Sequence, residues 1–130
     1  MTGQENSQTE VKIAVVTNDG LTVASHFGMA EFYQVVFTEA GKIISREQRS
    51  KPHHMMHLDV TESKLHDHQD MFAPIRDCQV LLCGGMRTPA YKSAEAVGLQ
   101  VIMTGGPIEN AVTAYLNGNL VSELHRIRNV

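Results

Sequence analysis

The stretch Gln79-Val80-Leu81-Leu82-Cys83-Gly84-Gly85-Met86-Arg87-Thr88-Pro89 decides the fold class. Four apolar residues follow Gln79 without a polar break, a pattern that suits a strand covered on both faces, as in parallel sheets. Gly84-Gly85 ends the run. Thr88-Pro89 then reads as an N-cap and the first helical residue. Tyr91, Ala94 and Val97 recur at helical spacing, and Gly98 can close the helix in the left-handed conformation. Leu99 to Met103 repeats the buried-strand pattern, and Gly105-Gly106-Pro107 leads into a helix running to about Asn117. Ile108, Ala111, Val112, Tyr115 and Leu116 form its apolar stripe, and Gly118 stops it.

Upstream, the rhythm is that of antiparallel strands. Val11 to Thr17 (VKIAVVT) is a β-rich run closed by the turn Asn18-Asp19-Gly20. Glu31 to Thr38 and Lys42 to Arg49 read as two strands joined at Glu39-Ala40-Gly41, a hairpin. A short helical turn is expected before Gln79, limited by Pro74. The order β-β-β-(short α)-β-α-β-α implies a single α/β domain with a mixed sheet of five strands, parallel in its second half. The expected boundaries are a frayed tail at 1–10, a domain at 11–118 and a C-terminal tail at 119–130 whose structure the pattern does not settle.

Composition narrows the function classes. The chain has 130 residues, 42% of them hydrophobic and 19% charged, as is ordinary for a globular domain. A net charge of −3 gives no basic face for nucleic acid. No apolar run approaches the roughly 18 residues of a membrane span. The polar start from Met1 to Glu10 has no apolar signal core, and the two cysteines are expected to be reduced, so the expected location is cytoplasmic.

In an open α/β sheet, ligands gather beyond the carboxyl ends of the parallel strands. Three segments should converge there: Ser25-His26-Phe27-Gly28-Met29, Cys83-Gly84-Gly85-Met86, and Thr104-Gly105-Gly106. Each diglycine is expected to precede a helix and to present free backbone N–H groups, which suits an anion. Tight turning between strand and helix would equally call for a diglycine. Cys83, at a strand's carboxyl end, either packs as a buried thiol or supplies a thiolate to the pocket.

Five of the seven histidines, His53, His54, His57, His66 and His68, fall within the connection at 51–69, where Met55 and Met56 also lie. That connection is long for a compact domain. His53, His54 and His57 would share one face of a helical turn, and His66 and His68 one side of an extended segment. Imidazole suits zinc, nickel, copper and iron. The spacing does not define a tetrahedral site, so a divalent-ion-gathering arm and a plain solvated loop both stand beside a zinc site.

Ser25-His26-Phe27-Gly28 after a Lys-Ile-Ala-Val-Val strand, with Gly84-Gly85 and Gly105-Gly106, resembles the dinitrogenase iron–molybdenum cofactor biosynthesis family. The resemblance spans about 11–118. It implies a ribonuclease-H-like fold and non-catalytic binding of an iron–sulfur or iron–molybdenum cluster. It also implies exchange with metallocofactor donor and acceptor proteins, by a monomer or weak dimer. By motif, His26 matches a proposed cluster ligand, with Phe27, Gly28, Cys83, Gly84, Gly85, Gly105 and Gly106 around it. A ribonuclease-H-type nuclease is the enzymatic alternative, and it needs several carboxylates around two ions. The predicted strands offer only Asp19, Glu31 and Glu47. A binder of single metal ions through the histidine-rich connection is the remaining reading.

Overall fold

The computed structural model describes residues 10–52 and 71–128. The histidine-rich stretch from 53 to 70 lies outside the described residues, as do 1–9, 129 and 130. In chain order the elements are β1 (Glu10–Thr17), β2 (Phe32–Glu39), β3 (Lys42–Ser50), a 3₁₀ turn at Ala73–Ile75, and β4 (Val80–Cys83). There follow β5 (Met86–Arg87), α1 (Thr88–Ala96), β6 (Gln100–Met103), α2 (Ile108–Leu116), a 3₁₀ turn at Leu124–Arg126 and β7 (Ile127–Arg128).

Five strands form one mixed sheet in the order β3-β2-β1-β4-β6. β2 pairs antiparallel with β1 and with β3, whereas β1/β4 and β4/β6 are parallel. The hairpin turn places Ala40 at φ 55° and Gly41 at φ 79°, with Glu39 opposite Lys42. Positive φ at both central residues matches the right-handed twist of the flanking strands. Glycine adopts it freely, and Ala40 does so at a cost of about 1 kcal/mol.

Strand alternation divides the interior in two. Ala14, Val16, Val35, Leu81 and Met103 face one side, where Phe27, Phe72, Ile75 and Ala94 of α1 cover them. Ile13, Val15, Val36, Leu82 and Ile102 face the other, covered by Ile108, Ala111 and Val112 of α2. A fully buried residue of this kind stabilises the fold by about 1.5–3 kcal/mol, so both faces are firmly held. At one margin of the sheet, β3 carries Lys42, Arg46, Glu47 and Arg49 and a register shift opposite Phe37/Thr38. At the other, the carboxyl end of β6 is covered by chain: Glu123 N donates to Met103 O, and Met103 N donates to Ser122 Oγ.

The expected turn before β4 is the Ala73–Ile75 3₁₀ turn, with Pro74 in its first positions. Arg49 of β3 fastens it, donating to Pro74 O at 2.8 Å and pairing with Asp77 at 2.7 Å. The start of α1 needs correction. Thr88 is already helical, and the capping position is Arg87, held extended (ψ 154°) by its place in β5. Val97 is exposed at the end of that helix, so Ala94 alone of the expected stripe is fully buried. Gly98 closes α1 at φ 95°, as expected.

The two-residue pair β5/β7 was not foreseen. It brings the segment after Gly118 back over the carboxyl ends of the parallel strands.

Candidate functional site

The loop after β1 is built by local hydrogen bonds and then laced to its neighbours. Asp19 Oδ1 accepts from the backbone N–H of Leu21 and of Thr22, both at 2.8 Å. These bonds favour the ionised carboxyl and hold it down at about 2. Ile108 N donates to Leu21 O and Val23 N donates to Gly106 O, so the loop lies along the start of α2. Ala24 N donates to Val16 O, Gly84 N to Ala24 O, and Phe27 N to Gly85 O at 2.8 Å. The loop therefore rests on both diglycine corners.

Phe27 and His26 point in opposite senses. Phe27 is buried, stacked on Phe72 with centroids 5.4 Å apart, so it anchors the loop from below and does not line a mouth. His26 stands exposed directly above this anchor, with Gly28 half-buried beyond it. Lys51 lies beneath, 95% buried, its Nζ 4.7 Å from the Phe27 ring centroid. Burial pulls its ammonium down to about 8, with Cys83 and Glu31 opposing a further fall.

Gly84-Gly85 serves close approach rather than amide display. A Cβ on Gly84 would lie 2.5 Å from Ala24 O, and one on Gly85 closer still to Ser25 O. Gly84 N is spent on Ala24 O, and Gly85 N faces Cys83 Sγ. β5 separates this corner from α1, and at the other corner Leu21 O takes the first amide of α2. The expected row of free N–H groups at Gly84-Gly85 is replaced by bonds within the fold.

Positive charge comes from elsewhere. Arg126 Nη1 donates to Gly84 O at 3.1 Å, and its guanidinium lies against the Cα of Gly105, where an added Cβ would meet Nη2 at 3.1 Å. Its Nε is paired with Glu123 at 2.6 Å. Arg128 Nη1 sits 3.0 Å from His26 Nδ1, and Nη2 lies over Gly85. A guanidinium can only donate, so in this contact Nδ1 is the acceptor, which favours the tautomer with its proton on Nε2. Arg128 is placed by its backbone: it pairs with Arg87, and its carbonyl accepts from Thr88 Oγ1.

The expected residues thus divide. His26, Gly85 and, through Arg126, Gly84 and Gly105 meet at one rim, and Gly106 turns into α2 at φ 87°. Cys83 does not reach that rim. It is fully buried, its thiol donates to Gly85 O at 3.0 Å, and burial pushes it up to about 12. Cys78 is buried and likewise pushed up to about 12. Met86 packs in the core, while Met29 is exposed. His53, His54, His57, His66 and His68 lie outside the described residues. Among the described residues, no group of three or more His, Cys, Asp or Glu could hold a metal ion. Sequence reasoning missed Arg126 and Arg128, which the 3₁₀ turn at Leu124–Arg126 and the two-residue β7 bring to the same rim.

This is a single-domain α/β protein that gathers an imidazole and two guanidinium groups where its three parallel strands end. The chain belongs to the dinitrogenase iron–molybdenum cofactor family, whose family model matches residues 9–118. Among solved structures it is similar to the apo form of the orange protein from Desulfovibrio gigas, at 23% identity and TM-score 0.65, covering 85% of this chain and 91% of that one. PH0822 superposes with TM-score 0.66 at 19% identity, covering 87% and 95%. MJ0327 from Methanocaldococcus jannaschii, described as a candidate dinitrogenase, gives 0.60 at 11% identity, covering 88% and 94%. At these identities the likeness is one of fold. No curated protein matches the chain. Among the described residues, no helix is long and apolar enough to cross a membrane.

Proposed function

We propose that this chain is a non-catalytic carrier or accessory protein that takes an iron–sulfur or iron–molybdenum type cluster as cargo and passes it between donor and acceptor proteins. It would work in the cytoplasm as a monomer or weak dimer, on a ribonuclease-H-like sheet. The observation that carries this reading is the placement of His26. An exposed imidazole is held on a loop clamped to both diglycine corners, above a buried aromatic anchor. The family membership gives the cofactor context.

The donor set fits cargo that arrives preassembled. One exposed imidazole beside positive charge can grip a cluster by a single iron and let it go again. Cys83 contributes no thiolate while buried and protonated. Asp19, a carboxylate that a nuclease would need, is committed to loop amides, so two-ion chemistry finds little here.

The test is anaerobic reconstitution with iron and sulfide. The wild-type protein should develop charge-transfer absorbance, and His26→Ala should lose it. If the triple variant His53→Ala, His54→Ala, His57→Ala abolishes uptake while His26→Ala does nothing, the single-ion reading replaces this one.

A further inference from the structure

Two guanidinium groups and the His26 imidazole occupy one rim, and this says what kind of species that imidazole can accept. Arg128 Nη1 is 3.0 Å from Nδ1, and Arg126 lies one corner away on Gly84 and Gly105. We infer that Arg128, seconded by Arg126, sets the charge of the metal species His26 takes: anionic metal–sulfur species are admitted and hydrated divalent cations are refused. The inference rests on the proposed role of His26 and adds residues beyond the family match, which ends at 118.

Either nitrogen of the ring leads to the same conclusion. A metal approaching Nδ1 must displace Arg128, because that lone pair already accepts from the guanidinium. A metal approaching Nε2 needs the proton moved to Nδ1, and the N–H would then point at a group with no acceptor. A bare dication also meets the repulsion of a fixed positive charge at short range, where solvent screens least. For an anionic metal–sulfur species the signs reverse. The displaced guanidinium turns to the cargo's own sulfides and gains a charge-assisted contact in place of the one given up. Arg128 should dominate, because Glu123 already neutralises part of Arg126. The backbone of Arg128 cannot drift away, since β7 is paired with β5 and Thr88 Oγ1 holds its carbonyl.

Two probes of opposite charge test this on the full chain: tetrathiomolybdate dianion and cobalt(II) ion. Binding is read at the His26 ring resonance, identified by its absence in His26→Ala, so that uptake at other histidines does not enter. Arg128→Gln should weaken tetrathiomolybdate by about three- to tenfold and tighten cobalt by a similar factor, as for one partly screened charge. Arg128→Lys should keep the wild-type preference, and both effects should shrink with added salt. A merely structural role for Arg128 moves both affinities in one direction. That result, or no change in either, overturns the inference. Loss of the reconstituted absorbance in His26→Ala, measured separately, upholds the carrier reading whichever way the arginine variants behave.

Discussion

Replacing Lys51 with methionine gives the sharpest test of the energetics beneath the rim. The residue is 95% buried, its ammonium lies over the Phe27 ring and donates to Pro52 O, and burial lowers it from 10.5 to about 8. The gap of about 2.5 pH units, at ~1.4 kcal/mol each, means that the buried charge costs the fold about 3 kcal/mol at neutral pH. A cation–π contact offsets about 1–2 kcal/mol of any gain from removing it. Lys51→Met should therefore be more stable at pH 7 by about 1–2 kcal/mol.

The sign with pH is opposite to that of an ordinary salt-bridged lysine. Between about 8 and 10.5 the unfolded chain binds more protons at this site than the folded one, so the wild type gains stability as pH rises. Cys78 and Cys83 act the other way. Their thiols keep protons in the fold up to about 12, so stability falls as pH rises above 9, where unfolded thiols ionise. Both cysteines are present in the variant as well, so their burial cancels in the difference, which reports Lys51 together with its coupling to Cys83. Urea unfolding at pH 7, 8, 9 and 10 should show the variant's advantage vanish and then reverse, a swing of up to about 3 kcal/mol. A difference independent of pH would refute the assignment.

Three other outcomes follow from the same geometry. Gly85→Ala forces a methyl group into Ser25 O and should destabilise the protein by about 2 kcal/mol or more, read as a lowered Tm. Cys83 should react with a disulfide reagent at pH 8 only as fast as the protein opens, and mild denaturant should release it, because the thiol is buried and pushed up to about 12. Asp77 is held down at about 2, chiefly by Arg49, so the stability from this pair should be present above pH 4 and decay as pH falls toward 2. Its half-exposed position limits the loss to about 1 kcal/mol, and Asp77→Asn should remove that share of the acid dependence while the share from Asp19 remains.

Much of the sheet could be read from the chain because its strands carry the signal that burial imposes. Val80 to Cys83 is buried on every residue, and its unbroken apolar run said so. The hairpin was legible in Ala40-Gly41, and the ends of both helices in Gly98 and Gly118. β5 and β7 were not legible, because two residues apiece bury too little to set up a period. That omission hid Arg126 and Arg128, and with them the charge at the rim. His26 was found by its motif. The role of Phe27 as an anchor follows only from the stacking partner Phe72, forty-five residues away in a segment with no strand or helix periodicity. Cys83 stood at the right strand end for a ligand, but its thiol is fully buried and turned onto Gly85 O.

The margins of the sheet restrict how a visitor can dock. β3 alternates charge along its open side and breaks its ladder near Phe37, which discourages an incoming strand from pairing there. Across the molecule, residues 122 and 123 already occupy the hydrogen-bonding groups at the end of β6. Among the described residues, neither flank offers a long, bare template for extending the ladder. Any protein that exchanges cargo with the proposed carrier would do better to meet it end-on, over its loops.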